Sequence, residues 1–317
     1  MEKAYVVGID MGGTNTPFGI VDHAGNIISE GSVPTNKHSE IEKYIDDLYE
    51  GLMPLIHKAG GVENIQGIGI GAPNGNFYKG TIEFAPNLPW KGVIHLAQLI
   101  SDKFGIPAVL TNDANAAAIG EMIYGNAKGE KDFIMITLGT GVGSGIVANG
   151  ELIYGHDGFA GEVGHTIYNP EGRQCGCGRK GCLETYASAG GIVKTAIEML
   201  ENSDKESILK NFKREDLSAR TIGMAAQEGD ELAIEVFDYT AKILGLKLAD
   251  SVAHTSPSSI YIFGGVANAG DVLMKPLKKH FEDALLAIFK NKINIRLSGL
   301  NARNAAILGA AALIKKA

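Results

Sequence analysis

An apolar strand running straight into a glycine cluster, used twice, is the feature that most restricts how this chain can fold. Residues 4 to 9 (AYVVGI) end at Asp10 and meet MGGTNT; FGIVD follows at 18 to 22, then the turn AGN, then IISEGSV. Residues 133 to 154 repeat the plan: FIMITL meets GTGVGSG, GIVA follows, Asn149-Gly150 turns the chain and ELIYG continues. β-rich runs joined by Gly and Asn-Gly turns read as antiparallel meanders. Two such units about 125 residues apart argue for two structurally related halves.

Helical patterns over 40–58, 93–104 and 113–123 alternate with the short strands IQGIGIGA and PAVLTN. Further helices are expected at about 187–201, 219–229, 231–254 and 271–289, with the strand SIYIFGG among them and the Ala-rich NARNAAILGAAALIKK after them. Alternating β and α with meander openings implies an α/β fold in two lobes. The Ala-rich helix is expected to pack back on the first lobe.

The glycine turns are also where chemistry is expected. Between two strands, glycines let a backbone approach a ligand closely and aim N–H groups at an anion. In Asp10-Met-Gly12-Gly13-Thr14, Asp10 is placed to hold a metal-bound water and Thr14 to donate to a phosphate. Gly139-Thr140-Gly141 repeats the theme, and Gly264-Gly265 follows the strand SIYIF. Any one is also a plain structural turn; three after apolar strands suggest a nucleotide cradle. No G-x4-G-K-[ST] occurs, so the cradle is not a P-loop. Gly67-Ile-Gly69-Ile-Gly71-Ala72 fits a loose dinucleotide pattern, but it is an alternating strand running into Pro73, not a turn opening a helix.

In Leu110-Thr-Asn112-Asp113-Ala-Asn115, a β run ends in a polar pair where an Ala-rich helix begins. Asn and Asp are favoured N-caps. A carboxylate at a strand's C-terminal end is also placed to take a proton from a substrate hydroxyl. Both readings of Asp113 stay open at this point.

All three cysteines, Cys175, Cys177 and Cys182, fall within eight positions. An odd number cannot all pair as disulfides, and a chain of 317 residues has core enough without staples. Three soft ligands in C-x-C-x4-C point to structural zinc, which takes four. His165 is the nearest fourth ligand; His156 competes, but the intervening GFAGEVG would have to loop back. Glu162 and Glu184 flank the cluster, so a zinc knuckle would brace a polar, sugar-binding wall.

The N-terminus has no secretory pattern and no apolar run is long enough for a bilayer, so a cytoplasmic protein is expected. With a net charge of −7 and a pI near 5.7, nucleic acid is not an expected partner.

Asp10-x-Gly-Gly-Thr14, Asn112-Asp113, Leu138-Gly-Thr-Gly-Val-Gly, Glu162-Val-Gly-His165 and C-G-C-G-x-x-G-C-L-E together resemble the ROK sugar kinases, from residue 4 almost to the end. Within that family the sequence most resembles the glucokinases and the Bacteroides-type hexokinases. The resemblance implies the actin-like ATPase/hexokinase (ribonuclease H-like) fold, with lobes of 1–117 plus 303–317 and of 118–302 closing over a ligand cleft. It implies ATP, Mg2+ and structural Zn2+ as cofactors and a homodimer as the assembly. Asp113 then matches the base; Gly71, Asn74, Asn87, Asn112, Glu162, His165 and Glu184 match sugar-binding positions. Asp10, Gly12, Gly13, Thr14, Gly139, Thr140 and Gly141 match the phosphate turns, Gly264 and Gly265 the adenosine segment, and His165, Cys175, Cys177 and Cys182 the zinc set. The resemblance implies ATP-dependent phosphorylation of a hexose at its 6-hydroxyl, with glucose the expected sugar; many relatives carry G-x-P-G where this chain has Gly71-Ala-Pro-Asn74, which keeps mannose, N-acetylglucosamine and N-acetylmannosamine as alternatives. The family's sugar-sensing repressors carry a helix-turn-helix for which no room is expected before the strand at residue 4; non-catalytic sugar binding is disfavoured by the presence of both Asp10 and Asp113.

Overall fold

The computed structural model describes residues 3–300 and 304–316. The first meander is β1 (Tyr5–Asp10), β2 (Asn15–Asp22) and β3 (Ile27–Pro34), followed by helix α1 (Ile41–Lys58) and β4 (Ile65–Gly71). Three very short strands, β5 (Gly75–Asn76), β6 (Thr81–Glu83) and β7 (Val93–Ile94), make a small sheet before α2 (Leu96–Phe104), β8 (Ala108–Thr111) and α3 (Asp113–Tyr124). The second meander is β9 (Phe133–Leu138), β10 (Val142–Ala148) and β11 (Glu151–Leu152). Then come α4 (Glu184–Ala187), α5 (Ala189–Glu201), α6 (Ala219–Gln227), α7 (Glu231–Thr255), β12 (Ser259–Phe263), α8 (Asp271–Ala284), β13 (Asn294–Leu297) and α9 (Ala305–Lys316).

The two large sheets share one topology. Their strand orders are β3-β2-β1-β4-β8 and β11-β10-β9-β12-β13. In each, the meander is antiparallel and the two added strands run parallel to its first strand. The chain crosses between parallel strands through helices, as such connections require. Both central strands are buried on both faces, which explains why VVGI and FIMI read as continuous apolar runs.

Helix α9 lies on β1 and β4. Glycine is what permits the fit: a Cβ on Gly8 would stand 2.0 Å from the Ile307 carbonyl oxygen, and one on Gly69 1.9 Å from that of Ala310. Gly69, read above as part of an alternating strand, thus serves helix–sheet packing. The expected lobe division after residue 117 falls inside α3, which packs on β9 and β10 as well as on β4 and α9; the expected return at 303 lies outside the described residues, as do residues 301 and 302 of the Ala-rich stretch. α8 ends at Ala284, five residues short of the expected 289. Among the described residues, no helix is long and apolar enough to cross a membrane.

Candidate active site

A cleft of about 820 Å³ lies between the lobes, floored by the ends of β1 and β9 and the starts of β10 and α3. Asp10 stands at the end of β1, and Asn112 and Asp113 where β8 hands over to α3. Asn112 is the helix cap: its Oδ1 accepts from the Asn115 N–H at 2.7 Å. Asp113 is the first residue inside the helix; its Oδ1 accepts from the neighbouring Ala114 N–H at 2.8 Å, and its own backbone N–H also supports the carboxylate. Its second oxygen is free for the cleft. Of the two readings of Asp113, capping therefore passes to Asn112.

Desolvation by the surrounding walls raises the Asp113 carboxyl above its ordinary range, although the residue opens onto the cleft. Desolvation, with the charge of Asp113 beside it, pushes Asp10 up to about 7. Gly71 does not line the cleft but lies beneath this pair. A Cβ there would stand 3.7 Å from Asp10 Oδ1 and 3.7 Å from Asp113 Cα.

From the first lobe, Asn74 and Asn87 reach the cleft. Asn74 sits at φ +51°, a left-handed position that Gly or Asn fill most readily, and its Nδ2 donates to the Glu83 carbonyl at 3.0 Å. That explains how Asn replaces the commoner glycine here without breaking the turn. Gly12, Gly13 and Thr14 are not on the lining; Gly13 stands beside Asn87, where a Cβ would meet the Asn87 carbonyl at 3.0 Å.

From the second lobe come Gly139, Thr140, Gly141, Glu162, His165, Glu184 and Gly264. A short 3-10 turn over Val163–His165 presents Glu162 and His165, and Gly164 lets that turn press on β10: a Cβ there would lie 1.9 Å from the Val142 carbonyl oxygen. Desolvation raises the Glu162 carboxyl, with the charge of nearby His165 opposing it. Glu184 Oε2 accepts from the Val142 N–H at 3.1 Å, tying the cysteine loop to the second glycine turn. Gly264 (φ +107°) packs on the end of β9, where a Cβ would meet the Leu138 carbonyl at 2.4 Å; Gly265 opens the following 3-10 turn and does not line the cleft.

His165, Cys175, Cys177 and Cys182 converge, with ligand atoms all within 4.8 Å of one another. His165 Nδ1 faces Cys175 Sγ at 3.7 Å and Cys177 Sγ faces Cys182 Sγ at 3.6 Å. Tetrahedral zinc–thiolate bonds space sulfurs at about 3.8 Å, so the donor set fits a zinc ion. Only Cys177 and His165 of the four reach the cleft lining; Cys175 and Cys182 are buried behind it.

The cleft also contains residues the sequence reading did not single out. Thr137 is the one polar residue of the strand FIMITL, a signal that was legible. Phe263 ends β12 just before the glycine pair, and Ala305 and Ala306 show that the start of α9 reaches the cleft. Phe84 and Pro86 carry no sequence signal beyond their place beside Asn87.

Residues 6–317 match the ROK family over nearly the whole chain. A glucokinase of Halalkalibacterium halodurans is 38% identical over 322 residues, covering 100% of this chain and 96% of its own length. The structure of a ROK family glucokinase from Streptomyces griseus, in complex with glucose and AMPPNP, superposes with a TM-score of 0.83 at 32% identity, covering 99% of this chain and 100% of that one. A ROK family transcriptional regulator, a homologue of the E. coli MLC protein, has a TM-score of 0.88 at 24% identity, covering 98% of this chain and 78% of the regulator, and shares the fold. With the two glycine turns, the Asn-Asp pair, the E-x-G-H turn and the cysteine loop gathered around one cleft, and with that match from end to end, the chain belongs to the ROK family.

Proposed function

We propose that the protein is an ATP-dependent hexokinase that transfers the γ-phosphoryl group to the 6-hydroxyl of glucose, giving glucose 6-phosphate. The observation that carries this reading is the position of Asp113: relieved of capping by Asn112, it has a free oxygen in a cleft with a polar wall on one side and glycine turns on the other. Glucokinases among the similar proteins, one of them holding glucose and AMPPNP, support the choice of sugar and nucleotide.

In this mechanism Asp113 accepts the hydroxyl proton as the oxygen attacks, and its raised carboxyl pKa strengthens it as a base. Asn112, Glu162 and Glu184, with Asn74 and Asn87 opposite, orient the sugar hydroxyls; His165 contributes Nε2, because Nδ1 faces the cysteines. Gly139, Thr140 and Gly141 hold the phosphates from the cleft lining, with the turn of Gly12, Gly13 and Thr14 behind the opposite wall, and Gly264, backed by Gly265, bounds the nucleoside. Asp10 would hold water on a magnesium ion whose charge offsets that of the phosphates. Most of the rate comes from this positioning and charge compensation, as in phosphoryl transfer generally.

His165, Cys175, Cys177 and Cys182 would hold structural zinc, which supplies rigidity and no chemistry. The lobes 1–117 with 303–317 and 118–302 close over the substrates, and the enzyme acts in the cytoplasm as a homodimer without a nucleic-acid partner. The family resemblance and the net charge of −7 support these last assignments.

An ATP-coupled assay on glucose, mannose and N-acetylglucosamine tests the reading. Asp113→Asn is expected to keep glucose binding and lose about 10²–10⁴-fold in kcat, the usual scale for a general base. Wild-type turnover in that variant would remove Asp113 from the chemistry.

A further inference from the structure

We infer that Phe84 is a preorganised stacking platform for the hexose ring and sets the preference for a sugar whose ring hydroxyls are equatorial. The inference rests on the hexokinase reading above. It starts from a conflict: Phe84 lines the cleft, is 70% exposed and sits at φ +53°. A large apolar side chain gains nothing from exposure, and a left-handed backbone is disfavoured for a bulky residue. Among the described residues, the other non-glycine positions with positive φ are three asparagines and Ser256, which caps α7. These are polar residues; Phe84 alone is large and apolar.

The surroundings hold this conformation from both sides. The Glu83 N–H donates to the Asn74 carbonyl at 3.2 Å, and the Phe84 N–H donates to the Gly92 carbonyl at 2.8 Å. The loop these bonds close is pinned from below, since Ala85, Leu88 and Trp90 are buried in the core of the first lobe and Trp90 packs on Tyr44 at 4.8 Å. Anchored in this way, the loop turns Phe84 and Asn87 outward to the cleft. Backbone strain over-determined by its neighbours is characteristic of ligand clamps.

An exposed ring on the wall of a sugar cleft offers one kind of contact: its face against ring C–H bonds. Glucopyranose, with equatorial hydroxyls at C2, C3 and C4, presents C–H on either face. Mannose (axial 2-hydroxyl) and galactose (axial 4-hydroxyl) each place an oxygen on one of them. For both epimers this is the face that carries H2 and H4 in glucose, so a flat apolar wall against that face favours glucose by leaving the axial hydroxyl desolvated and unpaired.

The test compares wild type, Phe84→Asn and Phe84→Tyr by kinetics on glucose, mannose and galactose and by thermal melting. Asn tolerates the left-handed backbone but cannot stack. Phe84→Asn is expected to raise KM for glucose about five- to twentyfold, with the loss falling on KM more than on kcat, and to narrow the preference for glucose over at least one epimer. Its melting temperature should equal or exceed that of wild type, because strain is relieved. Phe84→Tyr should return KM to within about twofold of wild type. A glucose KM within twofold of wild type in Phe84→Asn overturns the inference. So does a raised KM that comes with a lower melting temperature and is not restored by tyrosine, since that marks a structural role. Wild-type protein that phosphorylates no hexose would instead sink the hexokinase reading, and this inference with it.

Discussion

The two lobes carry the same sheet, yet their first strands end differently. β1 ends in Asp10, whose carboxyl stands at the cleft with its pKa pushed to about 7, whereas β9 ends in Leu138, fully buried. Both strands then enter a glycine turn. The shared architecture supplies two backbone cradles, and only one receives a charge. The walls differ as well. In the first lobe the loop carrying Phe84 and Asn87 is held by Leu88 and Trp90 in an ordinary hydrophobic core. In the second, the segment from His165 to Glu184 has few buried apolar side chains, and its cysteines and histidine gather instead. One wall is braced by burial, the other by a metal-binding donor set.

Among changes that test this contrast between the lobes, the largest effect should come from removing the asymmetry at the strand ends. Asp10→Asn is expected to cost about 10²–10³-fold in kcat/KM, the scale of losing one charge-stabilising group at a phosphoryl centre. The same variant carries a stability signature of known sign. The folded pKa of Asp10 is raised, so its contribution to stability is complete below the ordinary carboxylate pKa of 3.8 and is lost as pH rises through about 7, where a desolvated carboxyl must ionise. Ligand-free wild type should therefore lose thermal stability as pH rises from about 4 to about 7, by a margin that Asp10→Asn does not show. Equal slopes in the two proteins would show that ionisation of Asp10 costs nothing in the folded state.

The contrast between the walls is sharpened by Cys177→Ser. Metal analysis should find one zinc per wild-type chain and none in the variant, with a lower melting temperature and roughly ten- to a hundredfold weaker sugar binding. Normal sugar affinity without zinc would mean that the second wall stands without its brace. The smallest effect is expected at Asn74→Gly, which keeps the left-handed turn but removes the amide. The ratio of kcat/KM between glucose and N-acetylglucosamine should change about two- to tenfold, the scale of one partly buried hydrogen bond. Because one Nδ2 hydrogen is already given to the Glu83 carbonyl, Oδ1 and the second N–H are what the amide can offer the sugar. An unchanged ratio would place selectivity elsewhere on the first wall.

Much of this was readable in the residues because glycine after an apolar strand is an unambiguous local signal. Both meanders, β4 and β12 follow from it, while β8 is marked instead by the Asn112-Asp113 pair that opens α3. The small sheet β5–β6–β7 does not, since its strands are two or three residues long and lie among Pro and Gly, and β13 has a single buried residue. The cysteine spacing pointed to three thiolate donors, because soft ligands so close have few other uses, but it left His165 and His156 to compete for the fourth place, and it is His165 that gathers with the cysteines. What the sequence left undecided was which of Asn112 and Asp113 caps α3: both types cap, and only the Oδ1 to Asn115 contact distinguishes them. The backbone sign at Phe84 was not legible at all, because it is imposed by Gly92 and Asn74, neither adjacent in sequence.

The seating of α9 on the glycines of β1 and β4 has a consequence for how the chain is made. Those strands leave the ribosome more than 230 residues before Ala305, and at roughly 5–20 residues per second the delay is some tens of seconds. Throughout it, the face around Gly8 and Gly69 lacks its covering helix. The second sheet gains its last strand, β13, only shortly before α9 emerges, and its buried cluster also takes Ala312 and Leu313 from that helix. The sheet translated first is therefore the one that waits longest for its cover. Chaperone dependence in the cell should accordingly track the first lobe, and a chain stalled before α9 should expose that sheet to aggregation.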